Sequence, residues 1–206
     1  MDLLTIQVGA LSTNCYVLVP GSSGECAVID PGGEGERIIN DVRSRGLTAR
    51  YVLSTHGHAD HTGAAATVLG SLGGEYGLGT GDVEMALDPP FWLTALLPDF
   101  MTPPRPALEL SGDELLPLGP GELEVIATPG HTPGSMCFRY EDVVFTGDTL
   151  FKGSIGRYDL PGGNGELELE SIRDRLMSMN DDVQVLPGHG PASTIGDERR
   201  TNPYLT

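Results

Sequence analysis

In the stretch Thr55-His56-Gly57-His58-Ala59-Asp60-His61, three of the chain's five histidines and one aspartate fall within six consecutive residues. Imidazole nitrogen combined with carboxylate oxygen is the ligand set that a borderline divalent ion prefers. The stretch follows the apolar run Tyr51-Val52-Leu53, and the other two histidines are placed in the same way. The run 123–127 leads through Thr128-Pro129-Gly130 to His131, and 183–186 leads through Pro187-Gly188 to His189. A fourth run, 143–146, leads through Gly147 to Asp148. Every histidine therefore lies just beyond the C-terminal end of an expected strand, the edge where sheets with helical layers gather their chemistry. Glycine beside each ligand lets the backbone turn sharply and approach closely.

The number and type of these groups narrow the chemistry further. A structural zinc site is closed and usually rich in thiolate, whereas this set has five imidazoles, two carboxylates and no cysteine. Seven ligands are too many for one tetrahedral ion. They suit two ions roughly 3.5–4 Å apart that share a bridging carboxylate and activate a water between them. Asp148 is the natural bridge, because it alone leaves its strand end without a histidine. The expected cofactors are two divalent metal ions, zinc foremost, with iron or manganese also compatible with the donors.

The elements that must carry these residues can be read from patterning. Segments 3–8, 14–19 and 25–30 alternate or run apolar between turn residues and predict a three-strand meander. Ile38, Ile39 and Val42 give helical spacing up to Gly46, which suits a helix stop. The segment 62–72 is rich in alanine and leucine and reads as a helix closed by Gly73-Gly74. Leu169, Ile172, Leu176 and Met179 follow helical spacing with charged residues opposite, a core-facing stripe. Thr194, with Asp197 three residues later, can open a short helix. Between 73 and 120, prolines mix with large apolar side chains. That stretch reads either as an irregular loop packed on the body or as a wall over a pocket.

Whole-chain properties set the outer bounds. A chain of 206 residues with this apolar content can form one domain with a proper core, 1–206. No run approaches the length of a membrane span, and the N-terminus lacks the basic flank and long apolar segment of a signal peptide. Cys15, Cys26 and Cys137 are odd in number and far apart, and read as buried thiols in a reducing compartment. The expected location is cytoplasmic. A net charge of -17 repels a phosphate backbone and argues against nucleic acid as a partner.

Four segments together resemble a known family. THGHADH at 55–61, TPGHTPGS at 128–135, FTGDTLF at 145–151 and PGHGP at 187–191 resemble the metallo-β-lactamase-fold hydrolases. GSIGRYDLPGG at 153–163 and ERRTNPYL at 198–205 are similar to short glyoxalase-II-like members, which lack the C-terminal helical domain of full-length hydroxyacylglutathione hydrolases. The resemblance implies an α+β fold, an αββα sandwich with the metal site at one edge of its two sheets. It also implies that His56, His58 and His131 hold a first metal, that Asp60, His61 and His189 hold a second, and that Asp148 bridges them. A hydroxide between the metals would then attack the carbonyl carbon of a small-molecule thioester, with Asp60 orienting the nucleophile or moving its proton.

For substrate binding, the resemblance points to Arg157, Tyr158 and Lys152. Arg157 stands where full-length members carry a glutathione-binding lysine, and the family's tyrosine falls at Asp159, one position after Tyr158. The alternative for Lys152 and Arg157 is a salt bridge on an acidic surface. Three other functions remain open: a mono-iron persulfide dioxygenase of the same fold, a hydrolase of lactones, β-lactams or phosphodiesters, and a non-catalytic metal-binding protein. The expected assembly is a monomer or small homo-oligomer.

Overall fold

Alternation along the first strands separates two apolar faces. A computed structural model describes the backbone of residues 1–206 and every side chain except that of Trp92. In chain order the strands are β1 (Asp2–Val8), β2 (Thr13–Val19), β3 (Glu25–Ile29), β4 (Thr48–Leu53), β5 (Glu75–Gly79), β6 (Leu108–Leu110) and β7 (Leu115–Leu118). They continue as β8 (Gly121–Ala127), β9 (Met136–Tyr140), β10 (Val143–Gly147), β11 (Leu150–Phe151), β12 (Ser154–Ile155), β13 (Gln184–Pro187) and β14 (Ser193–Thr194). The helices are α1 (Gly35–Ser44), α2 (Ala59–Thr62), α3 (Ala65–Leu72), α4 (Val83–Leu87), α5 (Phe91–Thr94), α6 (Gly165–Ser171) and α7 (Ile195–Thr201).

One sheet has the order β1-β2-β3-β4-β5-β6, antiparallel through β3 and parallel from β3 to β6. The second has the order β14-β13-β10-β9-β8-β7, antiparallel except where β10 runs parallel to β13. Strand β2 is buried along its whole length because both of its faces are covered. Cys15, Val17 and Val19 pack with Ile38, Ile39 and Val42 of α1 and Val68 of α3. Tyr16 and Leu18, on the opposite face, join Val125, Phe138 and Phe145 of the second sheet. The outer face of that sheet, with Ile126, Cys137, Val144 and Val185, packs against Ile172, Leu176 and Ile195. Helices, sheet, sheet and helices therefore stack as the αββα sandwich implied by the motifs.

Most of the local expectations are met. All three cysteines are buried and free. Thr194 caps α7, its side chain accepting the Asp197 N–H. The 169–179 stripe does face the core, but α6 widens after Ser171 into one i→i+5 turn, with the Met177 N–H donating to the Ile172 carbonyl at 2.9 Å. The segment 73–120 is not the irregular loop that its prolines suggested. It supplies β5 and β6 to one sheet, β7 to the other, and the short helices α4 and α5. The described residues include no helix long and apolar enough to cross a membrane.

Candidate metal centre

Four strand ends converge on one edge of the sandwich. Strand β4 delivers His56, His58, Asp60 and His61, the last two on the single turn α2. Strands β8, β10 and β13 of the other sheet deliver His131, Asp148 and His189. Two glycines make the approach possible. Gly147 sits at φ 49°, the left-handed region that disfavours side chains. A Cβ on Gly188 would run into the Asp148 carboxylate and the His61 ring.

The first trio is closed by ring nitrogens. His56 Nε2 lies 2.9 Å from His58 Nδ1, and His131 Nε2 lies 3.2 Å from the former and 3.0 Å from the latter. The second trio is looser. His189 Nε2 lies 3.2 Å from Asp60 Oδ2 and 3.3 Å from His61 Nε2, and His61 Nε2 is 3.5 Å from Asp60 Oδ2. Asp148 reaches both trios. Its Oδ2 lies 3.8 Å from His131 Nε2 and 3.6 Å from His189 Nε2, and its Oδ1 lies 3.4 Å from His61 Nε2.

These residues fit metal ions. Nitrogens at zinc–nitrogen distances of about 2.0–2.1 Å around a tetrahedral ion lie roughly 3.3 Å from one another, close to what the first trio presents. Asp148 Oδ1 is buried and has no hydrogen-bond partner, a cost that a cation in the centre of the cluster would remove. The partners outside the cluster also fix the tautomers. His131 Nδ1 donates to the Arg157 carbonyl at 2.7 Å, and His189 Nδ1 to the Leu11 carbonyl at 3.1 Å. In the neutral form each Nε2 then presents its lone pair inward.

Asp30, which in the sequence looked only like the end of a strand, is the principal support behind the cluster. Its Oδ1 accepts the Thr55 N–H at 2.7 Å, and its Oδ2 accepts the Thr55 hydroxyl at 2.9 Å. Thr55 Oγ1 in turn accepts from His56 Nδ1 at 3.1 Å. Asp30 Oδ2 also lies 2.9 Å from His61 Nδ1, at ion-pair distance but without hydrogen-bond alignment. Asp30 thus backs one ring of each trio. The sequence signal for it is faint: an aspartate at a strand end before Pro31-Gly32, at φ 53° in the structure.

Electrostatics divide the two trios. Burial, reinforced by the neighbouring rings, pushes His56 well below its ordinary pKa. Burial and His131 bring His58 to about 4. His61 is different: burial pulls it down, but Asp30, Asp148 and Asp60 overcome that pull and hold it well above its ordinary value. For His189 too, Asp60 and Asp148 outweigh burial and raise it. Burial opposes the charge on Asp60 and Asp148, yet the surrounding imidazoles hold both carboxyls below their ordinary values. The surroundings therefore favour the neutral form of His56 and His58 and the charged form of His61 and His189.

The family profile described as Metallo-beta-lactamase superfamily matches residues 8–189. The chain belongs to this superfamily. Hydroxyacylglutathione hydrolase GloC of Haemophilus influenzae is 38% identical over 226 residues, covering 100% of this chain and 98% of its own. The crystal structure titled BLEG-1 B3 metallo-beta-lactamase superposes with a TM-score of 0.92 at 36% identity, covering 100% of both chains. TTHA1623, solved in a di-iron-bound form, gives a TM-score of 0.87 at 35% identity, covering 98% of this chain and 100% of that one. A metallo-β-lactamase fold with a His/Asp cluster able to hold metal ions makes this chain a metal-dependent hydrolase.

The remaining sequence candidates are arranged less favourably around this metallo-β-lactamase site. The Arg157 guanidinium pairs with its near neighbour Asp159 at 2.8 and 3.0 Å, the salt-bridge alternative, while its carbonyl serves His131. Tyr158 is exposed and, with Arg157 and Tyr204, lines a cavity of about 450 Å³. Lys152 is exposed at the turn between β11 and β12 and does not line that cavity. A second cavity, of about 230 Å³, lies beside the β1–β2 turn and is lined by Gly9, Ala10, Gly32, Leu97 and Phe100. The 97–101 segment forms its wall and is tied to the end of α2 by the Met101 N–H donating to Gly63 at 2.9 Å.

Proposed function

We propose that this protein is a dinuclear metal-dependent thioester hydrolase of glyoxalase-II type, converting an S-2-hydroxyacyl thiol to the hydroxy acid and free thiol. The observation that carries this reading is the Asp148 carboxylate, which lies within 3.4–3.8 Å of ring nitrogens from both trios. His56, His58 and His131 would hold the first ion, Asp60, His61 and His189 the second, and Asp148 both. Zinc suits the donors best, and the di-iron form of TTHA1623 makes iron the next choice. When bound, the ions supply Lewis acidity toward a carbonyl oxygen and lower the pKa of water.

The chain's own residues do the rest. Asp60, held by the Thr13 hydroxyl at 3.3 Å, accepts the proton of the attacking water. The carbon–sulfur bond breaks as the new carbon–oxygen bond is completed, and the proton that Asp60 took from the water passes to the departing sulfur. Tyr158 and the adjoining 450 Å³ cavity, next to the His131 loop through the Arg157 carbonyl, receive the thiol carrier. With Arg157 neutralised by Asp159, the carrier is bound by shape and neutral hydrogen bonds more than by charge.

The test is metal quantification on protein purified without added metal, paired with hydrolysis assays on 2-hydroxyacyl thioesters of several thiols, a lactone and a β-lactam. Two ions per chain with thioester turnover supports the reading. Two ions with every thioester left intact and the β-lactam opened would move the protein to the reading suggested by its likeness to BLEG-1. A single iron with oxygen uptake on a persulfide would replace hydrolysis by oxidation.

A further inference from the structure

Asp82 is fully buried, lies 21 residues beyond the last histidine of the first motif, and bonds to the two ligand loops beside the rings and not to the rings themselves. It ends the turn Thr80–Asp82 after β5, and its carboxylate receives three donors and offers none. The Gly57 N–H donates to Oδ2 at 2.8 Å, the Thr132 hydroxyl donates to Oδ2 at 2.6 Å, and the Gly134 N–H donates to Oδ1 at 2.7 Å. Gly57 stands between His56 and His58, and Thr132 directly follows His131. The two loops come from different sheets, so no single element fixes the spacing between them. We infer that Asp82 is a positioning residue for the first metal: its carboxylate clamps the His56–His58 loop to the His131 loop.

Three further contacts fit a clamp. A Cβ on Gly57 would come within 2.9 Å of the Asp82 carbonyl, and one on Gly81 within 2.9 Å of the Gly134 nitrogen, so side chains are missing where the loops close on the turn. The Ser135 hydroxyl lies 2.7 Å from Thr132 Oγ1 and accepts the Thr132 N–H at 3.1 Å, which fixes the hydroxyl that donates to Asp82. Charge-assisted bonds of this kind are the strong ones, and a carboxylate that accepts three has no isosteric neutral substitute. An asparagine would have to turn its NH₂ toward one of the three donors. The second trio makes no contact with Asp82, so the clamp is selective.

This inference rests on the reading that the two trios hold metal. The experiment is zinc binding to metal-stripped full-length protein, resolved into two dissociation constants by chelator competition, for wild type, Asp82→Asn, Thr132→Val and Thr132→Ser. Asp82→Asn should weaken one of the two sites by about 10–100-fold, the range seen when a ligand's supporting partner is lost, and change the other by less than about 3-fold. His131→Ala identifies which constant belongs to the first trio. Thr132→Val removes one donor and should weaken the same site by a smaller factor, and Thr132→Ser, which keeps the hydroxyl, should restore it. Should Asp82→Asn not fold, the threonine pair decides the matter alone. Both constants unchanged, or both weakened equally, overturns the positioning role and leaves the metal reading intact. Wild type that takes up no zinc overturns the metal reading and this inference with it.

Discussion

Replacing Glu168 with glutamine should remove a pH-dependent weakness from the fold. Glu168 lies on α6, has no solvent exposure, and neither of its carboxyl oxygens has a hydrogen-bond partner. Its backbone and Cβ pack directly against Gly130, where no side chain would fit. Burial pushes its pKa up from 4.5 to about 8; the nearby Gly156 N–H, outside hydrogen-bond geometry, offsets this only slightly, and the Asp148 charge adds to it. In the unfolded chain the carboxyl ionises near its ordinary value, so between these two pH values the folded state binds more protons. Stability therefore falls as pH rises through that window. At 1.36 kcal/mol per pH unit, the full loss above pH 8 is roughly 5 kcal/mol and the loss at pH 7 roughly 3 kcal/mol, both upper bounds because a buried charge relaxes its surroundings. Glu168→Gln keeps the shape and cannot ionise. Urea unfolding of wild type and variant in the same metal state should give similar stabilities at pH 4.5 and a gap favouring the variant that widens toward pH 8. Parallel stability curves across that range would refute the reasoning, since they would mean that the carboxyl is solvated or paired in solution.

Three other outcomes follow from the geometry. Because carboxylates raise His61 and His189 while burial lowers His56 and His58, filling the second trio should release more protons than filling the first, and second-site affinity should gain more from a rise in pH, measured by calorimetry in buffers of different ionisation enthalpy. Equal proton release at both sites would contradict this. Asp30→Asn, which disturbs the support of His56 and His61 together, should weaken both zinc sites by about 10–100-fold in chelator competition, in contrast to the one-site effect at Asp82. Phe138→Ala, in the layer between the two sheets, should cost about 3–5 kcal/mol in urea unfolding, and a loss below about 1 kcal/mol would mean that this layer is not the main core.

The residues able to hold metal were legible because each is a metal-donor type placed a few residues past a short apolar run. Strand, turn and ligand are neighbours in the chain, so their order survives without tertiary information. The two supporting acids were not legible. Asp30 and Asp82 carry ordinary side chains whose significance lies in partners 25 or more residues away. The segment 73–120 was misread in part because β5–β7 are short and take their burial from strands already in place, so their own patterning is weak. For Arg157 the resemblance offers a substrate contact and the acidic surface a salt bridge; its guanidinium is paired with Asp159, two residues along.

By itself, the sequence determined the donor types, their grouping at four strand ends and their suitability for metal ions, since those follow from side-chain chemistry and local turns. Only the tertiary structure decided which nitrogens face one another, that Asp148 reaches both trios, and that Asp30 and Asp82 stand behind them. Those distances span two sheets and are set by the packing of their facing apolar layers, a non-local quantity that no window of residues contains.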